Sequence, residues 1–313
     1  MRSVRELPIG FYGAVMGLAG LGLTARSAAS LFPGVFRAPA YFTELWVALG
    51  ALALLVLLPA YALKLVRYPK AVKEDFTNPV QMGFCGALPV GMSLVAGGVG
   101  PYWPFLGDVL WWAAFGLLLA FQAWALVRWL SGGIELAQVN AGWLIVIVVG
   151  IVLPGPGIAL GHVEASRFAF GVSAAAAALL VPLLLFRAVL GPPLPEVLRP
   201  SWFILLVPPS LVYANGLALY PDFGFLENLF YFSLVLAVAL LGYSRKFWRW
   251  QFGVPWWAFT FPLDALAYAA ARYAQDHPGA HWKAVAGATL LLATAFVVML
   301  LWRTLRSAAS RRG

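Results

Sequence analysis

The sequence predicts an all-α integral membrane protein, and two observations lead to that prediction. First, 62% of the 313 residues are hydrophobic and only 11% are charged, whereas soluble domains carry about 25% charged residues. Second, the apolar residues form ten separate stretches, and a helix needs roughly 20 such residues to cross a bilayer. No polar insertion is long enough for a soluble domain, so we expect one membrane domain over residues 1–313. The stretches lie near residues 8–30, 41–66, 81–100, 104–130, 142–160, 165–188, 201–220, 224–246, 253–275 and 281–306.

The first stretch follows a basic start that contains Arg2 and Arg5, as in a secretory signal peptide. No A-x-A-type cleavage site closes a short apolar region, and the apolar residues continue to about Ala25. We therefore expect a retained first span rather than a cleaved signal.

Lysine and arginine concentrate on one side of the predicted helices. Sixteen of the 21 lie at the two termini or near the ends of even-numbered stretches, and five lie on the other side. Because cytoplasmic loops are enriched in lysine and arginine, this bias predicts an even number of spans with both termini cytoplasmic. The net charge of +9 comes from these short clusters, which argues against nucleic-acid binding. The sixteen are Arg2, Arg5, Lys64, Arg67, Lys70, Lys73, Arg128, Arg187, Arg199, Arg245, Lys246, Arg249, Arg303, Arg306, Arg311 and Arg312; the five are Arg26, Arg37, Arg167, Arg272 and Lys283.

The odd-numbered stretches differ from the even-numbered ones in their helix-breaking residues. Prolines interrupt four of them in or near their middles, and the first stretch is rich in glycine instead. The even-numbered stretches are smoother, apart from one proline each in the second and the sixth. We interpret the pattern as five helical hairpins, each with an inner broken helix and an outer lipid-facing helix. The alternative is that proline and glycine are simply common in membrane helices. The interrupting prolines include Pro89, Pro154, Pro208 and Pro262.

Residues 256–264, with the sequence WWAFTFPLD, combine a proline, a preceding aromatic ring and an acid within an apolar stretch. Pro262 has no backbone N–H and displaces the carbonyl of Ala258, so in lipid either that carbonyl finds another partner or the helix lines an enclosed or water-filled space. An acid such as Asp264 would be costly facing acyl chains. The segment therefore predicts the wall of a pathway, with Phe261 as a plug that the Pro262 kink directs at the axis.

Three roles are open for Asp264 at this stage. It is an ionised group in the pore that repels anions, a buried structural acid, or a site of proton coupling. In the structural role it would bond a carbonyl freed by a broken helix or meet Arg272 near the helix end.

Glycines in the first stretch recur at intervals of three and four residues, as Gly10, Gly13, Gly17 and Gly20. The pair Gly13 and Gly17 forms a small-xxx-small pattern, which brings helix backbones close together. Close helix packing and a pore-facing stripe are both compatible with this spacing.

No constellation typical of an enzyme is present. Of the three histidines, His277 and His281 have an i,i+4 spacing, but proline and glycine between them break the helix that would hold both on one metal. No HExxH, Walker, G-x-S-x-G or dinucleotide motif occurs. The single cysteine, Cys85, excludes an internal disulfide and a cysteine-rich metal site. We expect no catalytic residue, no metal and no cofactor.

The predicted pathway has mostly apolar walls, small residues and net-basic mouths. Acidic rings for cations and arginine-lined binding pockets are both missing from the sequence. Such a pathway suits small anions that pass without tight binding, selected by pore width, backbone dipoles and the surrounding field.

Three stretches resemble the tellurite-resistance protein A / C4-dicarboxylate transporter family, which includes the plant slow-type anion channels. The first, residues 7–19, is similar to the family's opening, where a Phe-Gly pair precedes a Gly-Leu step. The second, from Tyr61 and Lys64 through the basic run to residues 78–80, resembles the connection between the second and third helices. The third, residues 256–262, closely resembles the ninth-helix motif of the channel branch.

The resemblance implies ten helices in five hairpins, with the odd-numbered helices around a central pore. It also implies a homotrimer with one pore per subunit, and a phenylalanine that occludes the pore at the position of Phe261. Two departures are notable: Tyr12 stands where the bacterial tellurite-resistance proteins have phenylalanine, and Asp264 places an acid near the gate. Our candidates for the pore lining are Phe11, Tyr12, Gly13, Gly17, Pro89, Pro154, Pro208 and Asp264.

The function predicted from these observations is an anion channel or channel-like uniporter for chloride, nitrate and similar small anions. We expect it in a cell membrane, most simply a bacterial inner membrane, with the bilayer, its own copies and small anions as partners. The alternative is a proton-coupled transporter of C4-dicarboxylate, sulfite or tellurite oxyanions, with Asp264 as the proton site.

Overall fold

The computed structural model describes residues 4–33 and 40–309. Arg2, Arg37, Arg311 and Arg312, which entered the orientation argument, lie outside these ranges. Throughout the described ranges the regular secondary structure is helical, which confirms the all-α prediction. The α-helices are Tyr12–Ala28 (α1), Ala40–Arg67 (α2), Pro69–Thr77 (α3), Ala87–Val99 (α4), Pro104–Leu130 (α5), Trp143–Ile147 (α6), Pro154–Ala159 (α7), Val163–Leu190 (α8), Val207–Leu219 (α9), Glu227–Tyr243 (α10), Thr260–Asp276 (α11) and Ala280–Ala309 (α12).

Eight helical segments of the described chain are long and apolar enough to cross a membrane. They match eight of the ten predicted stretches, all except the fifth and the ninth. The protein is therefore a multi-pass membrane protein. The eight segments are Ile9–Leu31, Tyr41–Arg67, Met82–Val99, Pro104–Leu130, Val163–Leu190, Glu196–Leu219, Gly224–Tyr243 and Ala280–Ser307.

The fifth and ninth stretches are helical but interrupted. The fifth consists of α6, a 3-10 turn over Val149–Val152 and α7, and the ninth consists of a 3-10 helix over Val254–Phe259 followed by α11. Each piece is shorter than the roughly 20 residues of a single span. The chain therefore has ten spans only if the consecutive pieces of the fifth stretch together cross the membrane once, and those of the ninth stretch do the same.

Burial separates two kinds of membrane-length segment. The segments Met82–Val99 and Glu196–Leu219 are 83% buried and Ile9–Leu31 is 61% buried. The other five are between 22% and 33% buried. The buried segments belong to the odd-numbered stretches of the sequence, as the inner-helix interpretation expects.

Four of the buried α-helices begin directly after a 3-10 stretch, and the prolines lie at this junction. Pro89, Pro208 and Pro262 fall in the first turn of their α-helices, and Pro154 is the first residue of α7. We predicted that these prolines kink continuous helices near their middles. In the structure they lie instead at the starts of α-helices. First-turn N–H groups have no partner inside an α-helix, so proline fits there without removing a helical hydrogen bond. The 3-10 stretches are Ile9–Phe11 before α1, Met82–Gly86 before α4, Glu196–Leu206 before α9 and Val254–Phe259 before α11.

The buried helices form a closed ring of contacts. In order, α1 contacts α4, α4 contacts α7, α7 contacts α9, α9 contacts α11, and α11 contacts α1 again. Each of the five also packs against the helix that follows it in the chain, which is α2, α5, α8, α10 or α12. Side chains from all five buried segments can therefore meet inside the ring.

Candidate functional site

Two cavities lie inside the ring of buried helices, and residues from all five odd-numbered stretches line each of them. The first chamber is small, about 30 Å³, and its lining is almost entirely apolar. It draws on the earlier part of every segment, including the 3-10 stretches. Its lining includes Gly10, Gly13, Met16, Phe84, Ala87, Ile145, Val149, Ile204, Val207, Val254, Trp257, Phe261 and Pro262.

The second chamber is larger, about 400 Å³, and draws on the later part of the same segments. Its walls are apolar except for a few polar side chains, which are Thr24, Arg26, Ser27, Asn215, Asp264 and Tyr268. The two chambers thus follow one another along the common direction of the five segments.

Phe261 is the one described residue that lines both chambers. It is the second residue of α11, directly before Pro262, and its side chain is 6% exposed. The ring therefore borders the small chamber and the large one. Pro262 lines the first chamber, on the same side as the 3-10 stretch that precedes α11.

The glycine stripe of α1 lies against the segment that carries Phe261. A Cβ atom added to Gly13 would come 3.3 Å from Cβ of Trp257, and one added to Gly17 would overlap the side chain of Thr260. Gly13 also lines the first chamber, and Gly20, one turn beyond Gly17, lines the second. The same helix face thus packs closely against the segment that carries Phe261 and contributes glycines to both chambers.

The carboxyl group of Asp264 is buried in the second chamber without a partner. The residue is 1% exposed, and neither Oδ atom has a hydrogen-bond partner within the described part of the chain. One form of the structural role, in which Asp264 meets Arg272, is wrong, because Arg272 donates to Asp276 at 3.0 Å, at the far end of the helix. From outside the helix, Oγ1 of Thr24 donates a hydrogen bond to the backbone carbonyl of Asp264 at 3.1 Å.

Five of the six polar residues of the second chamber were not among the sequence candidates, and Asn215 and Arg26 are two of them. Asn215 donates from Nδ2 to the carbonyl of Ile151 at 2.7 Å, and its Oδ1 has no partner in the described ranges. Arg26 lies at the rim, where it pairs with Glu44 at 2.9 Å and donates to the carbonyls of two glycines at the end of α4. Isolated polar residues in the later half of an apolar stretch are the signal that would have identified both.

Several sequence candidates line neither chamber in the described ranges. The hydroxyl of Tyr12 donates to the carbonyl of Leu57 at 3.1 Å, and its ring meets the edge of Tyr61, so it faces α2. Phe11 ends the first 3-10 stretch, one residue before Tyr12. The other candidates in this group are Gly17, Pro89, Pro154 and Pro208; the three prolines are buried, and Pro154 and Pro208 each have a chain neighbour that lines a chamber.

The stretch from Tyr61 to residue 80 forms an anchor at one end of the helices. Nζ of Lys64 lies 2.6 Å from Oδ2 of Asp75 and 2.9 Å from the carbonyl oxygen of Leu7, and Tyr61 donates to the same carboxylate at 2.7 Å. Both charged side chains are buried. The anchor therefore joins α2, α3 and the start of the chain. Arg187 is also buried, and it donates to two backbone carbonyls.

A ring of buried helices around two chambers, enclosed by exposed membrane-length helices, defines the class of multi-pass channels and transporters. Over the described ranges, no group of three or more histidine, cysteine, aspartate or glutamate side chains is placed to hold a metal ion. The chain belongs to the voltage-dependent anion channel family (SLAC1), whose model matches residues 6–305. This confirms the resemblance found in the sequence.

The relatives of this chain include proteins from plants, bacteria and archaea. It is 27% identical to the guard cell S-type anion channel SLAC1 of Arabidopsis thaliana, over 96% of this chain and 55% of the plant protein. It is 25% identical to the tellurite resistance protein TehA homolog of Haemophilus influenzae, over 79% of this chain and 78% of that protein. An uncharacterized transporter of Methanocaldococcus jannaschii is 24% identical, over 83% of this chain. The chain thus spans about half the length of the plant channel.

Proposed function

We propose that the protein is an anion channel, or a channel-like uniporter, in which Phe261 closes a pathway through the two chambers. The observation behind this proposal is that the Phe261 ring alone among the described lining residues borders both cavities. An ion that moves from one cavity to the other has to pass this ring. Membership in an anion channel family supports small anions as the permeating species.

The proposed architecture has ten spans arranged as five hairpins, with the ring of buried helices inside. The contacts of each buried helix with the next helix in the chain support the hairpins. Both termini are cytoplasmic in this proposal, in agreement with the distribution of lysine and arginine. We further propose a homotrimer in a bacterial inner membrane, with one pathway in each subunit.

The chemistry of the chambers suits weak binding and rapid passage of anions. The first chamber offers almost no polar side chain, so a partly dehydrated anion meets only backbone dipoles and apolar surface there. The arginine at the rim of the second chamber is paired with Glu44, so it does not present an unpaired charge that would retain the ion. Selection then depends on width and on the surrounding field.

The test of this proposal is a reversal-potential measurement on the full chain in planar bilayers. Under chloride and nitrate gradients at equal pH on both sides, the reversal potential is expected to follow the anion gradient. A current that follows a cation gradient, or no current in any variant with an opened pathway, would contradict an anion channel.

A second candidate is a proton-coupled transporter of C4-dicarboxylate, sulfite or tellurite oxyanions. The observation that favours it is the buried carboxyl group of Asp264, which has no partner and borders the chamber. The same bilayers distinguish the two candidates, because a pH gradient shifts the reversal potential of a coupled carrier but not that of an anion channel.

A further inference from the structure

We propose that a pocket at the end of α10 binds the phosphate group of an anionic ligand. The basic pocket is lined by Pro193, Arg199, Tyr243, Arg245, Lys246 and Trp250, and its volume is about 350 Å³. It shares no described lining residue with either chamber, so it is a site apart from the anion pathway.

The charge of the basic pocket favours an anion. Three of its lining side chains are cationic, and none of those described there is acidic. Within the described ranges, Arg245 and Lys246 form no ion pair, and only Arg199 is partly offset, by Glu196 at 3.3 Å. Phosphate suits this set because guanidinium and ammonium groups donate several charge-assisted hydrogen bonds to its oxygens.

The position of the basic pocket matches the depth of lipid phosphates. Tyr243 is the last residue of the membrane-length segment Gly224–Tyr243, so the pocket lies where that span ends. Tyrosine and tryptophan are typical of the membrane interface, and basic pockets between membrane helices bind anionic headgroups. The same groups would accept a soluble phosphate compound, and the experiment has to separate the two sources.

The basic pocket also lies close to the segment that carries Phe261. The guanidinium of Arg199 lies over the ring of Trp250 at 5.7 Å, and Trp250 in turn stacks against Phe259 with ring centres 6.5 Å apart. Phe259 is two residues before Phe261. A bound ligand would therefore lie one aromatic ring away from that segment.

The test compares two double variants of the full chain in detergent. Arg245→Gln/Lys246→Gln removes two charges of the basic pocket, and Arg67→Gln/Lys70→Gln removes two exposed charges from the connection between α2 and α3 as the matched control. Binding of dioleoylphosphatidylglycerol and of zwitterionic dioleoylphosphatidylcholine is measured by native mass spectrometry, and binding of inorganic phosphate by calorimetry. Both altered pairs are exposed, and equal unfolding temperatures check that both variants are folded.

For a lipid ligand, phosphatidylglycerol binding falls by about fivefold for each charge removed from the basic pocket. The control variant and phosphatidylcholine binding stay as in the unaltered chain. If the ligand is a soluble phosphate compound, the basic-pocket variant loses binding of inorganic phosphate and the control variant does not. Binding of phosphatidylglycerol then shows no such selective loss. Equal losses in both variants indicate general surface charge and overturn the proposal, as does the failure of the unaltered chain to bind either probe.

Discussion

Gly20 on α1 lies directly against the ring of Phe261 on α11. A Cβ atom added to Gly20 would come 3.0 Å from Cδ2 of Phe261 and 3.0 Å from Oδ2 of Asp264. These distances are shorter than an ordinary carbon contact of about 3.5–4.0 Å. The bare backbone of one buried helix therefore provides the space that the ring carried by another helix occupies.

The first prediction concerns Gly20→Ala. The added methyl group pushes the Phe261 ring away from α1 and further into the pathway, so the anion conductance decreases. In a Phe261→Ala background the same change has a smaller effect, because only its contact with the Asp264 carboxyl group remains. The control is Gly116→Ala on α5, where an added Cβ meets nothing within 4 Å. Equal effects of Gly20→Ala in both backgrounds would show that the ring is not involved.

The second prediction concerns the ring itself. Phe261→Ala joins the two chambers and is expected to raise the anion conductance at least about tenfold, which a barrier lower by about 1.4 kcal/mol would produce. Phe225→Ala, which removes a ring that is 70% exposed, is the control and leaves the current unchanged. Single-channel recording in planar bilayers measures both. If folded Phe261→Ala protein carries only the original current, Phe261 is not the barrier.

The third prediction concerns the junction between the 3-10 stretch and α11. Pro262→Ala supplies an N–H that can bond the carbonyl of Ala258, so α-helical structure extends back into Val254–Phe259 and the Phe261 ring leaves its place. The conductance rises, and a structure of the variant shows the longer α-helix. Pro104→Ala, at the first position of the exposed helix α5, is the control. An unchanged backbone path from 254 to 262 would refute this account of the junction.

The fourth prediction concerns Asp264. Asp264→Asn keeps the shape of the side chain but cannot carry a negative charge, so anion flux persists and its dependence on pH is lost. Recording currents over the range of about pH 5 to 8 tests this, with Asp108→Asn near the start of α5 as the control. Loss of the folded protein would instead assign Asp264 a structural role. Wild-type current, pH response and stability together would leave it with no role in function.

The fifth prediction concerns the buried anchor between Lys64 and Asp75. Lys64→Met leaves the Asp75 carboxylate without its cationic partner, and breaking a buried pair in this way costs about 3–5 kcal/mol. The double variant Lys64→Met/Asp75→Leu recovers much of this loss, because no buried charge remains unpaired. Thermal unfolding in detergent measures both variants. A single variant as stable as the unaltered chain would mean that the pair is not buried.

Much of the fold and part of the site could be predicted from local sequence. The length and apolar character of each stretch are local properties; they predicted ten membrane-length stretches, of which eight are membrane-length helices and the fifth and ninth are interrupted. Phe261 was identified from residues 256–264 alone, because it precedes Pro262 and lies three residues before Asp264. The sequence predicted that prolines interrupt these stretches, but it did not predict that each proline lies in the first turn of an α-helix. The register of the 3-10 stretches depends on packing inside the ring.

By itself, the sequence determined the class of the protein, because transfer of apolar stretches into lipid depends on composition and length alone. It did not determine which face of each buried helix meets a chamber. Tyr12 faces α2, and Arg26, Asn215 and Asp264 face the second chamber, because residues distant in sequence surround them. The bond from Thr24 to the Asp264 carbonyl joins positions 240 residues apart, and no local pattern encodes such a contact. Only the tertiary structure decides these contacts, because five helices have to close a ring before any side chain faces its interior.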